Sequence, residues 1–295
     1  MTAAAFDSRM DRIAAGEHLT PDEIRELCAG PDLLAVGMLA DALRRRMHGT
    51  GVTYVRVASF AVDRAPDVPS AARELRITGE PKSLDQAISV VAAARTAAGA
   101  GRTVSGLSWP DVERLAALET LGVDGVLARL RAAGLDIVAE LPLDRISDPG
   151  KAIGQLRQAG FDELCLTVQS ADVNRPSLWT VASSLQDQFG CIRAINPLAT
   201  RLNAFRPTTG YDDVKMVAAA RLAAPNISSI QIDWQRYGPK LAQVALTFGA
   251  DDLWGISASD EAPEGRRRAA VEEVRSNVAA AGFAPVERDG RFAPA

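Results

Sequence analysis

The residues of this chain best equipped for chemistry are polar side chains that interrupt short apolar runs. Glu140 closes the run Ile137-Val138-Ala139. A carboxylate there is a candidate general base or ligand acceptor, because burial would raise its pKa. Arg56 and Arg76 alternate with apolar neighbours and offer guanidinium forks suited to a carboxylate; the competing reading pairs them with Glu140 or Asp233 in structural ion pairs. Gln231-Ile232-Asp233-Trp234 puts an amide, a carboxylate and an indole at the end of another run. Trp234 or Trp254 could stack on an aryl or purine ring, although a tryptophan in a large domain also serves as core. Glu80, Ser105 and Asn196 sit at comparable run ends. Glu140 is thus the catalytic candidate. Arg56, Arg76, Glu80, Ser105, Asn196, Gln231, Asp233 and Trp234 are the candidate ligand contacts.

Other chemistries find no support in the residue pattern. The three cysteines, Cys28, Cys165 and Cys191, are far apart in sequence, and His18 and His48 lie near the N-terminus. No zinc or iron–sulfur spacing results, and no Ser-His-Asp or Cys-His arrangement is suggested, so no metal ligands are assigned. The acidic pairs Asp251-Asp252 and Asp260-Glu261 could hold Mg2+, but loop carboxylates are usually solvated. Thr208-Thr209-Gly210 suits either an anion at a helix N-terminus or a plain helix cap.

The elements that must position these residues follow from periodicity. Thr20-Pro21-Asp22-Glu23 is a helix start with its cap, N1 proline and box glutamate in place, and helical spacing resumes over 33–48 before His48-Gly49-Thr50-Gly51 ends it. Beyond residue 50, β-rich runs at 52–59, 74–78, 102–105, 136–140, 163–168, 192–196, 229–233 and 252–256 alternate with helical segments. Eight strands in β-α alternation imply a parallel sheet, most simply a TIM-type (β/α)8 barrel. Mostly apolar runs fit strands covered on both faces. The connection after the first strand carries Pro66 and Pro69 and leaves little room for a helix, so the barrel is expected to be irregular there. The domain reading is an N-terminal helical extension at 1–50, the barrel at 51–284, and a loosely held tail at 285–295. In such a barrel, working residues gather at the carboxyl ends of the strands, which is where the candidates above fall.

Composition sets the surroundings. A 47% hydrophobic share is ample for a core. A formal charge of −4 gives no general reason to expect nucleic-acid binding. Scattered cysteines suit a reducing cytosol. No stretch reaches the ~18 apolar residues of a membrane span, and residues 1–10 do not read as a signal peptide. The expectation is a cytoplasmic protein without nucleic-acid or membrane partners.

Several segments together resemble the radical-SAM family of cyclic dehypoxanthine futalosine synthase, aminofutalosine synthase and FO synthase. They are Leu19-Thr20-Pro21-Asp22-Glu23, His48-Gly49 with Val52-Thr53-Tyr54-Val55, and Leu127 to Asp136. Ala139-Glu140-Leu141, Pro207-Thr208-Thr209-Gly210, Ile230 to Trp234 and, most densely, Gly238 to Asp252 complete the set. The resemblance covers most of the chain. It implies a radical-SAM-like barrel, a pocket lined by Glu140, and substrates bearing a benzoate-like carboxylate. It also implies a Cys-x3-Cys-x2-Cys loop after the first strand, and here the chain departs: that strand runs through Ser59-Phe60-Ala61 into Asp63-Arg64-Ala65-Pro66 without cysteine. Thr78-Gly79-Glu80 is similar to the family turn that binds the amino group of SAM, but SAM would lack the iron that chelates it.

The functional expectation is therefore a divergent, cluster-less member associated with futalosine-pathway menaquinone biosynthesis. It would act as a ligand-binding, regulatory or partner subunit, with no cofactor of its own and without radical chemistry unless a partner supplied the cluster. Its ligand would be aromatic or nucleoside-like, and its protein partner a catalytic radical-SAM relative or a second copy. The alternative is a cluster-independent enzyme using acid–base chemistry, with Glu140 as base. A filled, purely structural barrel is a third possibility.

Overall fold

A computed structural model describes residues 2–171, 175–201, 203–205, 207–261 and 269–295. Three helices come first: α1 (Ala3–Ala15), α2 (Pro21–Ala29) and α3 (Leu33–His48). Thr20 caps α2 through the reciprocal box with Glu23. Burial pushes the Glu23 carboxyl up, but hydrogen bonds from Thr20 and Arg12 outweigh it and hold the group down to about 2.

The strands are β1 (Gly51–Ala61), β2 (Glu74–Thr78), β3 (Thr103–Ser108), β4 (Ile137–Pro142), β5 (Leu164–Val168), β6 (Ile192–Ala199), β7 (Ser229–Asp233) and β8 (Asp252–Ser257). They lie in sequence order, all parallel, and β1 pairs with both β8 and β2. The barrel is therefore closed. Residues 62–73 join β1 to β2 without a helix, as the two prolines imply, but this shortens the wall without splitting it. The covering helices are α4 (Leu84–Ala98), α5 (Trp109–Leu118), α6 (Val123–Ala133), α7 (Pro149–Gln158), α8 (Arg175–Phe189), α9 (Gly210–Ala223), α10 (Trp234–Leu246) and α11 (Ala270–Ala280). The sequence predicts a last helix from Gly265 to Ala281; its stretch before residue 269 lies outside the described residues. Ser108 and Thr209 each start a helix with a capping box. Thr208-Thr209-Gly210 is thus engaged in capping.

The reading of 285–295 as a loosely held tail is corrected. A ninth strand, β9 (Ala284–Glu287), pairs with β1 from Gly51 to Tyr54, whereas β2 joins β1 only from Val57 onward. The late-starting β2 leaves the lower part of that edge open, and β9 fills it. The next residues form a tight turn, with Arg288 bridged to Pro294. Gly290 lies so close to Thr103 that a Cβ on it would sit 2.5 Å from the threonine Cβ. Arg288 enters the barrel and grips Asp252 with two hydrogen bonds, Nε–Oδ1 2.6 Å and Nη2–Oδ2 2.7 Å. Burial alone would lower the Arg288 pKa, but Asp252 reverses the sign and keeps it raised. Nothing in the tail's sequence period announces this, because one buried arginine, not an apolar stripe, anchors it.

No described helix is long and apolar enough to cross a membrane. Removing one partner of a buried ion pair leaves the other charged and unpaired, at a cost of about 3–5 kcal/mol. Arg288→Met should lower unfolding stability by about that amount, while Arg288→Met with Asp252→Leu should recover much of it. Denaturant melts of both variants test this; equal losses would show that the pair does not hold the tail.

Candidate functional site

Barrel interiors are usually filled by branched apolar side chains; this one carries a polar network. Asp252 accepts from Arg288, from the Thr53 hydroxyl at 2.6 Å and from Gln231 Nε2 at 2.8 Å. The Cys165 thiol lies 3.6 Å from Gln231 Oε1, toward which it donates. Across β1, Glu74 of β2 accepts from the Ser105 hydroxyl and, at 3.2 Å, from Trp254 Nε1 of β8. Arg76 comes next, its guanidinium 4.7 Å from the Trp254 ring centre. Its carboxylate neighbours are Glu74 at 3.8 Å and Glu140 at 3.9 Å. Among the described residues its one direct hydrogen bond is long, 3.4 Å to the Ala139 carbonyl.

Two hollows meet at Arg76. A small chamber of about 40 Å3 lies inside the barrel, lined by Glu74, Asn196, Gln231, Asp233, Trp254 and Arg288 among others. A larger cleft of about 510 Å3 opens at the carboxyl ends of β2, β3 and β4. Arg76, Glu140, Ala139, Thr200 and Arg236 line both. Glu80, Ser108, Arg114, Gln169 and Arg201 line the cleft alone. The rim next to Ser108 includes Leu107, held at φ 55°, a left-handed conformation that a leucine rarely adopts and that often accompanies functional edges.

The sequence candidates divide clearly. Arg76, Glu140, Glu80, Asn196, Gln231 and Asp233 line one or both hollows. Ser105 is buried in the wall, spent on Glu74. Arg56 is a correction: it lines neither hollow, and instead pairs with Glu287 of β9 at 2.9 Å and Asp260 at 3.1 Å. It shares Tyr54's strand parity, and both side chains meet Glu287, whereas Thr53, one residue before Tyr54, reaches the interior acid Asp252. Trp234 is the second correction. It begins α10, buried in the core, and Trp254 is the tryptophan beside Arg76. Asp251 and Asp252 are tied to Arg221 and Arg288, so neither is a loop acid open to a cation. Sequence reasoning missed Glu74, Arg236 and Arg201. Glu74 had a signal, since it lies two residues from Arg76 and shares its parity. Arg201 lies in a strand-end connection, where period gives no direction, and Arg236 lies in the first turn of α10, just past the end of β7.

Residues 192–294 match the family model described as the CofH/MqnC C-terminal region. Over 95% of this chain and 86% of the relative, the sequence is 23% identical to the cyclic dehypoxanthine futalosine synthase of Streptomyces coelicolor. A shorter match, 34% identical over 33% of this chain and 27% of the relative, is to the aminodeoxyfutalosine synthase of Thermus thermophilus. The chain is thus similar, over most of its length, to members of this radical-SAM family. The crystal structure of methylornithine synthase (PylB) shares the barrel fold, with a TM-score of 0.66 at 15% identity, covering 94% of this chain and 97% of that one.

Radical-SAM chemistry implies a 4Fe–4S cluster on three thiolates, and the residues present do not fit it. Cys28 is on α2, Cys165 in the middle of β5, and Cys191 precedes β6, its carbonyl accepting from Leu164 N–H. The 62–73 connection, where the family carries its cysteines, has none. Among the described residues no group of three or more His, Cys, Asp or Glu is arranged to hold a metal ion. Burial pushes the Cys165 thiol up to about 12 and the Cys28 thiol up to about 11, and raises Cys191 as well.

The thiolate is the reactive species. At pH 8, four units below Cys165 and three below Cys28, the thiolate fractions are on the order of 10⁻⁴ and 10⁻³. A disulfide reagent should therefore react slowly with the native protein and rapidly after denaturation, and raising the pH should recruit Cys28 before Cys165. Fast stoichiometric modification of native Cys165 at pH 8 would contradict this placement.

Proposed function

We propose that this protein is a cluster-independent member of its family that binds an aromatic or nucleoside-like small molecule in the cleft at the barrel mouth and serves the futalosine route to menaquinone as a ligand-binding or partner subunit. One observation carries the reading. The cleft keeps four arginines, Arg76, Arg114, Arg201 and Arg236, against the three carboxylates Glu80, Asp111 and Glu140, while the neighbouring 62–73 connection has no cysteine. A volume of about 510 Å3 falls in the ordinary range for small-molecule sites, roughly 300–1,000 Å3. Arg114 is hydrogen-bonded to Asp111 at 3.0 Å, but two of the arginines hold their acids loosely, Arg201–Glu80 at 3.9 Å and Arg236–Asp233 at 3.4 Å. Their N–H groups thus remain available to an anionic or polyhydroxylated ligand.

The names of the relatives motivate the ligand class. Those proteins are a cyclic dehypoxanthine futalosine synthase and an aminodeoxyfutalosine synthase. A second reading has Glu140 as a general base, since it stands at the junction of the two hollows and 3.9 Å from Arg76. In either reading the residues of this chain bind, orient and shield the ligand, and no step passes through a cluster.

Calorimetric titration with dehypoxanthine futalosine and aminofutalosine tests the proposal. Saturable binding is expected without iron, and Arg201→Ala or Arg236→Ala should weaken it about tenfold, the size of a charge-assisted hydrogen bond lost. Anaerobic reconstitution with iron and sulfide should leave no stoichiometric cluster on the chain. If a bound nucleoside is also turned over, and Glu140→Gln abolishes turnover but not binding, the acid–base reading replaces the first. Failure of both nucleosides to bind would remove the ligand-site reading.

A further inference from the structure

The inner chamber carries more information than the cleft above it. Thr167, on β5, is 4% exposed and lines this chamber. Its Oγ1 is buried and has no hydrogen-bond partner among the described residues. Folded proteins rarely leave a buried hydroxyl unpaired, because its desolvation is then uncompensated. At the chamber mouth, Arg76 presents five donors but makes one long hydrogen bond, to Ala139. Two independent groups therefore offer unused donors to the same space.

Charge decides what kind of acceptor belongs there. Among the described residues the chamber is lined by three arginines, Arg76, Arg236 and Arg288, and three carboxylates, Glu74, Glu140 and Asp233. Asp252, bound to Arg288, adds another negative charge just behind the wall. Arg76 has donors to spare among the described residues but does not lack countercharge, since Glu74 and Glu140 both lie within 4 Å of it. An entering carboxylate would face uncompensated repulsion in a desolvated space. A neutral carbonyl oxygen would take the same donors without that penalty.

Size sets the depth of entry. A cavity that holds benzene measures about 150 Å3, and one water needs at least roughly 10–15 Å3. The chamber, at about 40 Å3, admits the oxygen-bearing edge of a ring or a few waters, and no whole ring.

We propose that this chamber is a subsite for a neutral carbonyl oxygen, such as a ring carbonyl or a carboxamide, held between the Arg76 guanidinium and the Thr167 hydroxyl while the body of the ligand lies in the cleft. The proposal rests on the cleft being a ligand site and adds the chemistry of the buried end. It also reverses the role expected of Arg76 from the sequence: its acceptor is a neutral oxygen, and anionic groups stay outside, near Arg201 and Arg236.

Benzamide and benzoate, matched in shape and different in charge, are suitable probes, titrated against the full-length chain by ligand-observed NMR. Benzamide should bind about tenfold more tightly than benzoate. Thr167→Val should weaken benzamide about three- to tenfold and leave benzoate unchanged, while Thr167→Ser, which keeps the hydroxyl, should retain wild-type affinity. Matching thermal melts of the two variants exclude a folding defect as the cause. Tighter binding of benzoate, or indifference of benzamide to Thr167→Val, would overturn the subsite while nucleoside binding left the cleft reading intact. If neither the probes nor the futalosine nucleosides bind, the cleft reading falls and the subsite with it.

Discussion

Ion pairing inside a nearly dry barrel organises the rest of this structure. Asp252 is fully buried at the start of β8, and a buried carboxylate without partners is costly. Arg288 supplies the opposite charge from a distant part of the chain, and Thr53 and Gln231 occupy the remaining acceptor capacity. That one arrangement fixes the tail, ties β1, β7 and β8 into one layer, and makes the interior polar. Glu74, Ser105, Trp254 and Arg76 continue the network toward the mouth through β8, β2 and β3. The chamber exists because these side chains satisfy one another around it, leaving Thr167 and part of Arg76 unmatched.

The relation to the family follows from what this interior does and does not retain. The late-barrel segments that carry the resemblance, from Ile230 to Asp252, build β7, α10 and the start of β8, and so belong to the wall that holds the network. The departure lies at residues 62–73, which make a plain connection between β1 and β2. Architecture and pocket depend on the wall, and the wall is well packed whatever the 62–73 connection carries.

Much of the barrel was legible in the sequence because its strands are short apolar runs bounded by glycine and helix caps, and local rules suffice for those. The Thr20–Glu23 capping box and the eight strand positions are of this kind. The direction of individual side chains was less accessible. Arg56 reads as inward-facing until β9 is known to lie beside it, and the β9 pairing depends on residues more than 200 positions away in sequence. Trp234 and Trp254 are equivalent on paper, and only the transition from β7 into α10 turns the first into the core. Arg201 escaped because a connection has no period from which to read a face, and Arg236 because it sits in the first turn of α10, just past the end of β7. The tail escaped for a different reason: its anchor is a single charge whose partner lies in β8.

The sharing of one edge of β1 between β9 and β2 has a consequence for how the molecule is made. Synthesis runs from the N-terminus, and the lower part of that edge, along with the positive charge that Asp252 requires, is supplied by residues 284–288. Until these emerge from the ribosome, the nascent barrel has an open seam and a carboxylate that must stay wet. Closure is thus a late event that joins the two ends of the barrel sequence, and partially synthesised chains retain an exposed strand edge of the kind that invites pairing with other chains.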